Sequence, residues 1–144
     1  MIQLAPGGVV GILGGGQLGR MLSMAAARMG MDVHIYAPEQ DTPASRVSAK
    51  TWTAVYDDAA ALAEFAASCD VVTFEFENIP AQALDQIEAA GAPVFPRASA
   101  LAVSQDRLSE KEFLQSIGVA PAPFERIDGP LDIAPALARL GGRG

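Results

Sequence analysis

The chain has 144 residues, half of them apolar, which suits one packed domain with part of a second. Its 10 basic and 17 acidic residues leave a net charge of −7, which argues against nonspecific binding to nucleic acid or to an anionic membrane, so any anion must be held locally. One cysteine, Cys69, excludes an internal disulfide, one histidine, His34, argues against a zinc site, and a reducing cytoplasm is the compartment these counts fit.

The opening "MIQLAPGGVVGIL" has no basic stretch and is cut by Pro6, Gly7 and Gly8, so it is expected to be neither a signal peptide nor a membrane span. Short β-rich runs then alternate with alanine- and leucine-rich segments, the pattern of a parallel sheet covered by helices, and the fold class expected is α/β with a Rossmann-like sheet. The first strand is Val9 to Leu13 and the first helix about Leu18 to Met29, stopped by Gly30 before a second strand at Asp32 to Ala37. After the turn-rich "PEQDTPASRVSAK" come a short strand, Trp52 to Val55, and a helix with Asp57 or Asp58 as N-cap. Asp70 to Phe76 reads as the next strand, Pro80 to Ala90 as a helix ended by Gly91, and Pro93 to Pro96 as a short last strand.

Past Pro96 the chain becomes mostly helical until Gly118, Pro121 and Pro123, with one more short helix from Leu131 to Leu140 begun or interrupted by Pro135. A boundary near residue 97 is expected, giving domains 1–97 and 98–144. Leu108, Phe113, Leu114 and Ile117 are apolar positions of this second part that call for burial, and some fraying is expected there.

Two features carry chemistry. Gly14-x-Gly16-x-x-Gly19 follows a strand and opens a helix, which matches the dinucleotide-binding fingerprint. That fingerprint places an acidic residue about twenty positions on, at the end of the second strand, to bond ribose hydroxyls. Here that strand ends in Ile35-Tyr36-Ala37, and Glu39 and Asp41 lie beyond Pro38. The loop therefore reads as an anion cradle without its nicotinamide partner, or as a tight strand-to-helix turn alone. The second feature is "TFEFENIP", Thr73 to Pro80, at the carboxyl end of a strand, where open α/β sheets form their ligand crevice. Spaced by two, Glu75 and Glu77 are expected on one strand face, bonding a ligand, a metal, or backbone and side-chain donors; the alternatives are a helix-capping glutamate beside a solvated one, with Asn78 as an N-cap.

The segments "GILGGGQLGRM", "VHIYAPEQDTPA", "DVVTFEFENIP" and "QDRLSEKEFLQSIGVAPAPF", in this order, resemble the N-terminal part of the 5-(carboxyamino)imidazole ribonucleotide synthases, an ATP-grasp family of bacterial purine biosynthesis. The resemblance implies a pre-ATP-grasp domain followed by the helical start of an ATP-grasp domain. It also implies a ligase that uses ATP, Mg2+ and bicarbonate to carboxylate the exocyclic amine of aminoimidazole ribonucleotide, through carboxyphosphate, and a homodimer at full length.

Residue by residue, the resemblance puts Gly14, Gly15, Gly16, Gln17, Leu18 and Gly19, with Arg20, on the substrate side, the anion at the loop being a ribonucleotide phosphate. Glu75 would reach the ribose or the aminoimidazole, with Glu77 and Asn78 as further contacts, and Arg107 with Lys111 one turn on would contact ATP. No catalytic residue is assigned and no metal ligand is found, since no acidic cluster in 97–144 suits magnesium. Family members continue past the equivalent of "LGGRG" into an ATP-binding lysine, a glycine-rich flap and acidic metal ligands, so the chain alone is expected to be inactive. Two rival readings remain: a nicotinamide-dependent oxidoreductase fragment, and a noncatalytic binding or dimerisation module. A relative acting on another amine or acid stays open beside them. Cys69 and His34 are expected to have no chemical role.

Overall fold

The computed structural model describes residues 3–142. The chain divides into two compact units, Met1–Ala102 and Val103–Gly144. The first unit runs β1 (Val9–Leu13), α1 (Gln17–Arg28), β2 (Asp32–Ala37), a 3-10 turn (Ser45–Val47), β3 (Lys50–Thr53), α2 (Ala59–Ala67), β4 (Val71–Phe74) and α3 (Ala81–Ala89), and α4 (Ala98–Gln105) spans the division. The second unit holds α5 (Arg107–Ser116), a 3-10 turn (Pro130–Asp132) and α6 (Ile133–Arg139).

All strand pairs are parallel, in the order β3-β2-β1-β4. Alternation sends successive residues to opposite faces. Ile12, Val33, Ile35 and Ala37 pack with Ala26 of α1 on one side, while Leu13, Tyr36, Trp52 and Val72 pack with Leu62, Phe65, Leu84 and Ile87 of α2 and α3 on the other. The chain leaves β1 toward β2 and β3 and returns to the far side of β1 as β4. That reversal opens a crevice at the carboxyl ends of β1 and β4, where α/β sheets hold ligands.

The first βαβ unit, the Asp58 N-cap of α2, whose side chain accepts from Ala61 N–H at 3.0 Å, and the helix stop at Gly30 agree with the sequence reading. Strand ends differ, for reasons set by the neighbouring strand. The strand expected at Trp52–Val55 is Lys50–Thr53, in register with His34–Ala37, and it stops where β2 stops. The strand expected at 70–76 is Val71–Phe74, because its partner β1 ends at Leu13 opposite Phe74. Pro93 to Pro96 makes only a single bridge, Val72 to Val94, since a proline has no N–H to extend a ladder. The mostly helical stretch expected after Pro96 is two helices, divided at Asp106, whose carboxylate accepts from Ser109 N–H at 2.7 Å and caps α5. Position 135 lies in the first turn of α6, where the missing N–H of proline is harmless.

No residue of α5 is buried, and Phe113 and Ile117 are about half exposed. Among the described residues no helix is long and apolar enough to cross a membrane.

His34, half-buried in β2, places Nδ1 2.9 Å from Ser68 Oγ. The Ser68 hydroxyl in turn donates to Phe65 O at 2.7 Å. Burial, with Lys50 nearby and Asp32 opposing, holds His34 below its usual pKa of 6.5, and burial raises the Cys69 thiol to about 11, which keeps it unreactive. A histidine held low binds its proton less readily when folded than when unfolded. Its contribution to stability is therefore complete above pH 6.5 and is lost as pH falls through the lower folded value. The urea midpoint is expected to fall between about pH 7.5 and 5.5 and to fall less in His34→Gln. Equal pH slopes in the two proteins would contradict this.

Candidate functional site

β1 ends at Leu13, and Gly14 to Gly16 turn the chain into α1. Gly14 takes φ +111°, a left-handed conformation that favours glycine, while its N–H donates to Tyr36 O at 2.9 Å. Gly16 is the N-cap of α1 and has no side chain with which to cap it. The N–H of Gly16 itself is taken by Glu75, the first residue past β4: its Oε1 accepts from Gly16 N–H at 3.1 Å, and its own N–H donates to Leu13 O at 3.2 Å. A Cβ on Gly14 would stand 2.6 Å from Glu75 Cγ, and one on Gly16 2.9 Å from Glu75 Oε1. A Cβ on Gly15 would strike Thr42 at 2.6 Å. The glycines thus admit two neighbours, a carboxylate from β4 and a threonine from the loop after β2.

The segment Pro38 to Pro43 forms the facing wall. Ala44 N–H donates to Gly15 O at 3.0 Å, the nearly buried Thr42 accepts from Ser45 N–H through Oγ1, and Asp41 takes φ 51°. Tyr56 closes a third side, its ring stacked on Tyr36 at 5.8 Å, and the Tyr36 hydroxyl ties Val55 O at 2.7 Å. Together these elements enclose a cavity of about 670 Å³. Its walls carry the carboxylates of Glu39, Asp41 and Glu75 and no lysine, arginine or histidine. Burial, followed by Glu39 and Glu75, pushes the Tyr56 phenol up to about 12, so it stays a proton donor at neutral pH.

Of the residues singled out in the sequence, Gly14, Gly15, Gly16, Glu75 and Asn78 line the cavity. Gln17 and Leu18 are exposed on the first turn of α1, and Gly19 is buried beneath the loop, where a Cβ would meet Gly14 O at 2.7 Å. Alternation along a strand does not place Glu77 beside Glu75, because β4 has already ended at Phe74; Glu77 is exposed and off the cavity wall. Nor does Asn78 cap α3, whose N-cap position is Pro80 without a side-chain bond. In the second unit, exposed Arg107 pairs with Glu110, and Lys111 donates to Ala122 O at 3.4 Å with its ammonium 5.2 Å from the Phe124 ring centre. The cavity-lining residues that sequence reasoning did not single out are Pro38, Gln40, Thr42, Pro43, Tyr56 and Phe76. The available signal was the turn-rich run after the second strand, which lies at the same sheet edge as the glycine loop. Among the described residues no three His, Cys, Asp or Glu side chains are grouped to hold a metal ion.

The sequence profile of the ribonucleotide synthetase preATP-grasp domain matches residues 8–105. The chain belongs to this family. Its preATP-grasp domain and the residues beyond it are 50% identical over 142 residues to the N5-carboxyaminoimidazole ribonucleotide synthase of Brucella melitensis, covering 99% of this chain and 39% of that protein. Among solved structures it resembles the Staphylococcus aureus N5-carboxyaminoimidazole synthetase complexed with ADP (TM-score 0.85, 39% identity, 94% of this chain and 36% of that one). It also resembles the Aspergillus clavatus synthase in complex with ADP and 5-aminoimidazole ribonucleotide (TM-score 0.77, 30% identity, 94% and 37%). The chain thus spans under two fifths of the length of these relatives. The four-stranded parallel α/β sheet of the preATP-grasp domain agrees with the fold class read from the sequence.

The collision at Gly14 has a measurable consequence. Gly14→Ala meets both the left-handed φ and Glu75, whereas Gly91→Ala meets a similar φ of +100° in open space. Thermal unfolding is expected to show a loss of about 1 kcal/mol for Gly91→Ala and about 2–4 kcal/mol for Gly14→Ala. Equal losses would contradict the packing of Glu75 against the loop.

Proposed function

We propose that this chain is the substrate-binding part of an ATP-dependent ligase that carboxylates the exocyclic amine of aminoimidazole ribonucleotide with bicarbonate in purine biosynthesis. The observation that carries this reading is the motif glutamate Glu75, fixed by Gly16 N–H at the point where the sheet order reverses and facing a cavity of about 670 Å³. The names of the relatives support it along nearly the whole of this chain.

The chemistry of the cavity walls suits one end of such a ligand. Three carboxylates without a basic partner attract hydrogen-bond donors, as ribose hydroxyls and an aromatic amine are, and Tyr56 offers an aromatic face beside them. Gly14, Gly15, Gly16 and Asn78 complete the contact surface in this reading, and Gln17, Leu18, Gly19 and Glu77 border it. ATP is the co-substrate, with Arg107 and Lys111 on α5 as its contacts from this chain. The described residues do not fit a magnesium site, so no step is assigned here to the metal that the family implies. A homodimer and a cytoplasmic location belong to the same proposal.

A dinucleotide reading has one observation in its favour, since Glu39 and Asp41 do line the cavity. It meets the obstacle that Gly16 N–H is already engaged. Calorimetric titration separates the two. Aminoimidazole ribonucleotide is expected to bind, NAD is not, and Glu75→Gln is expected to weaken the ribonucleotide by about tenfold or more, the loss of a charge-assisted bond. Binding of NAD alone, or equal affinity in the variant, would reject the proposal.

A further inference from the structure

The two flanks of the glycine loop differ in hydrogen-bond character. Toward β4 the loop meets an acceptor, the Glu75 carboxylate, which takes Gly16 N–H and keeps further lone pairs for a ligand. Toward β2 it meets Thr42, whose Oγ1 and Cγ2 both stand 2.6 Å from where a Cβ on Gly15 would lie. Thr42 lines the cavity yet is only 7% exposed. Its Oγ1 accepts from Ser45 N–H at 3.2 Å, but its hydroxyl proton has no acceptor among the described residues. Ser23, the other buried polar side chain described, donates its proton to Gly19 O at 2.7 Å. Of the three glycine N–H groups, that of Gly14 goes to Tyr36 O and that of Gly16 to Glu75, while that of buried Gly15 has no acceptor among the described residues. A buried donor left without an acceptor is costly, and two of them beside one cavity mark the place of an acceptor atom.

We infer that Thr42 is a specificity-determining residue: its hydroxyl and the N–H of Gly15 donate to one hydroxyl of a ribose, which in turn donates to Glu75. An anion at Gly15 would face the carboxylates of Glu39, Asp41 and Glu75 with no basic side chain on the walls, whereas a sugar hydroxyl is neutral and both accepts and donates. That the acceptor is a sugar hydroxyl rests on the proposed ribonucleotide reading; the opposed donors and carboxylate do not. The N–H groups of Gln17 and Leu18, at the exposed start of α1, stay open for the phosphate of the same ligand. A sugar without that hydroxyl leaves both donors unpaired, so the cavity discriminates ribose from its deoxy counterparts.

The experiment removes the hydroxyl from either partner. The 144-residue chain, Thr42→Val and Thr42→Ser are titrated with ribose 5-phosphate and with its 2-deoxy and 3-deoxy analogues, and Kd is read from amide shifts, which follow weak binding. The unsubstituted chain is expected to hold ribose 5-phosphate about tenfold or more tighter than at least one deoxy analogue. In Thr42→Val that ratio is expected to narrow to about threefold, Glu75 alone being left to hold the hydroxyl, and Thr42→Ser is expected to keep it. A merely structural role of Thr42 would weaken all three sugars alike and leave the ratio unchanged. An unchanged ratio in Thr42→Val, or one as narrow in Thr42→Ser as in Thr42→Val, overturns the inference. So does equal binding of the three sugars, or binding of none, by the unsubstituted chain, whether or not Thr42→Val folds. If aminoimidazole ribonucleotide binds while the sugars are not discriminated, this inference fails and the proposed function stands. If ribose 5-phosphate is preferred through Thr42 while aminoimidazole ribonucleotide does not bind, the proposed function fails and the ribose contact stands.

Discussion

A hydrogen bond from the backbone N–H of Gly16 to the carboxylate of Glu75 ties the glycine loop after β1 to the residue that follows β4 at the carboxyl edge of the sheet. It fixes the entry into α1, the course of the chain leaving β4 and the chemistry of the cavity between them. A carboxylate brought this far out of water needs a partner, and the N-terminus of a helix supplies one through its N–H groups and dipole. The N–H of the N-cap residue Gly16 is one of the donors that a helix start leaves without an intrahelical partner, and Glu75 supplies its acceptor. Each group meets the unmet bonding of the other, and the adjoining glycines make their approach possible.

The topology decides where this can happen. β1 sits between β2 and β4, so its carboxyl end is flanked by the loop after β2 on one side and by the residue after β4 on the other. Gly15 meets Thr42 from the first and Gly14 meets Glu75 from the second. The loop is thus held from both sides before any ligand arrives, the kind of prior ordering that lowers the entropy lost on binding. Tyr36, buried in β2, extends the same support by holding Val55 through its hydroxyl and stacking against Tyr56.

Much of this was legible in the sequence. The run Val9 to Leu13, the helix after it, Gly30 and the strand Asp32 to Ala37 obey local rules of periodicity and capping, and they stand where those rules put them. The motif "TFEFENIP" lies at the edge of the sheet where the cavity opens, and the family resemblance implied a ligand class for it. What local rules could not give were facts set by neighbours. β4 stops at Phe74 because β1 stops at Leu13, so the two glutamates part company. The wall from Pro38 to Pro43 reads only as turn formers until the sheet order folds it over the glycine loop. The partner of Gly16 is 59 residues distant, beyond any window of periodicity.

The central claim is that ligand enters the cavity bounded by the glycine loop, the Pro38–Pro43 segment, Tyr56 and Glu75. Mapping backbone amide shifts of the isotopically labelled chain during titration with aminoimidazole ribonucleotide tests it most directly. The account predicts shifts concentrated at Gly14 to Gly16, Asp41, Thr42, Tyr56 and Glu75, with α5 and α6 unmoved. Shifts confined to α5, or spread without preference for the carboxyl edge of the sheet, would contradict it.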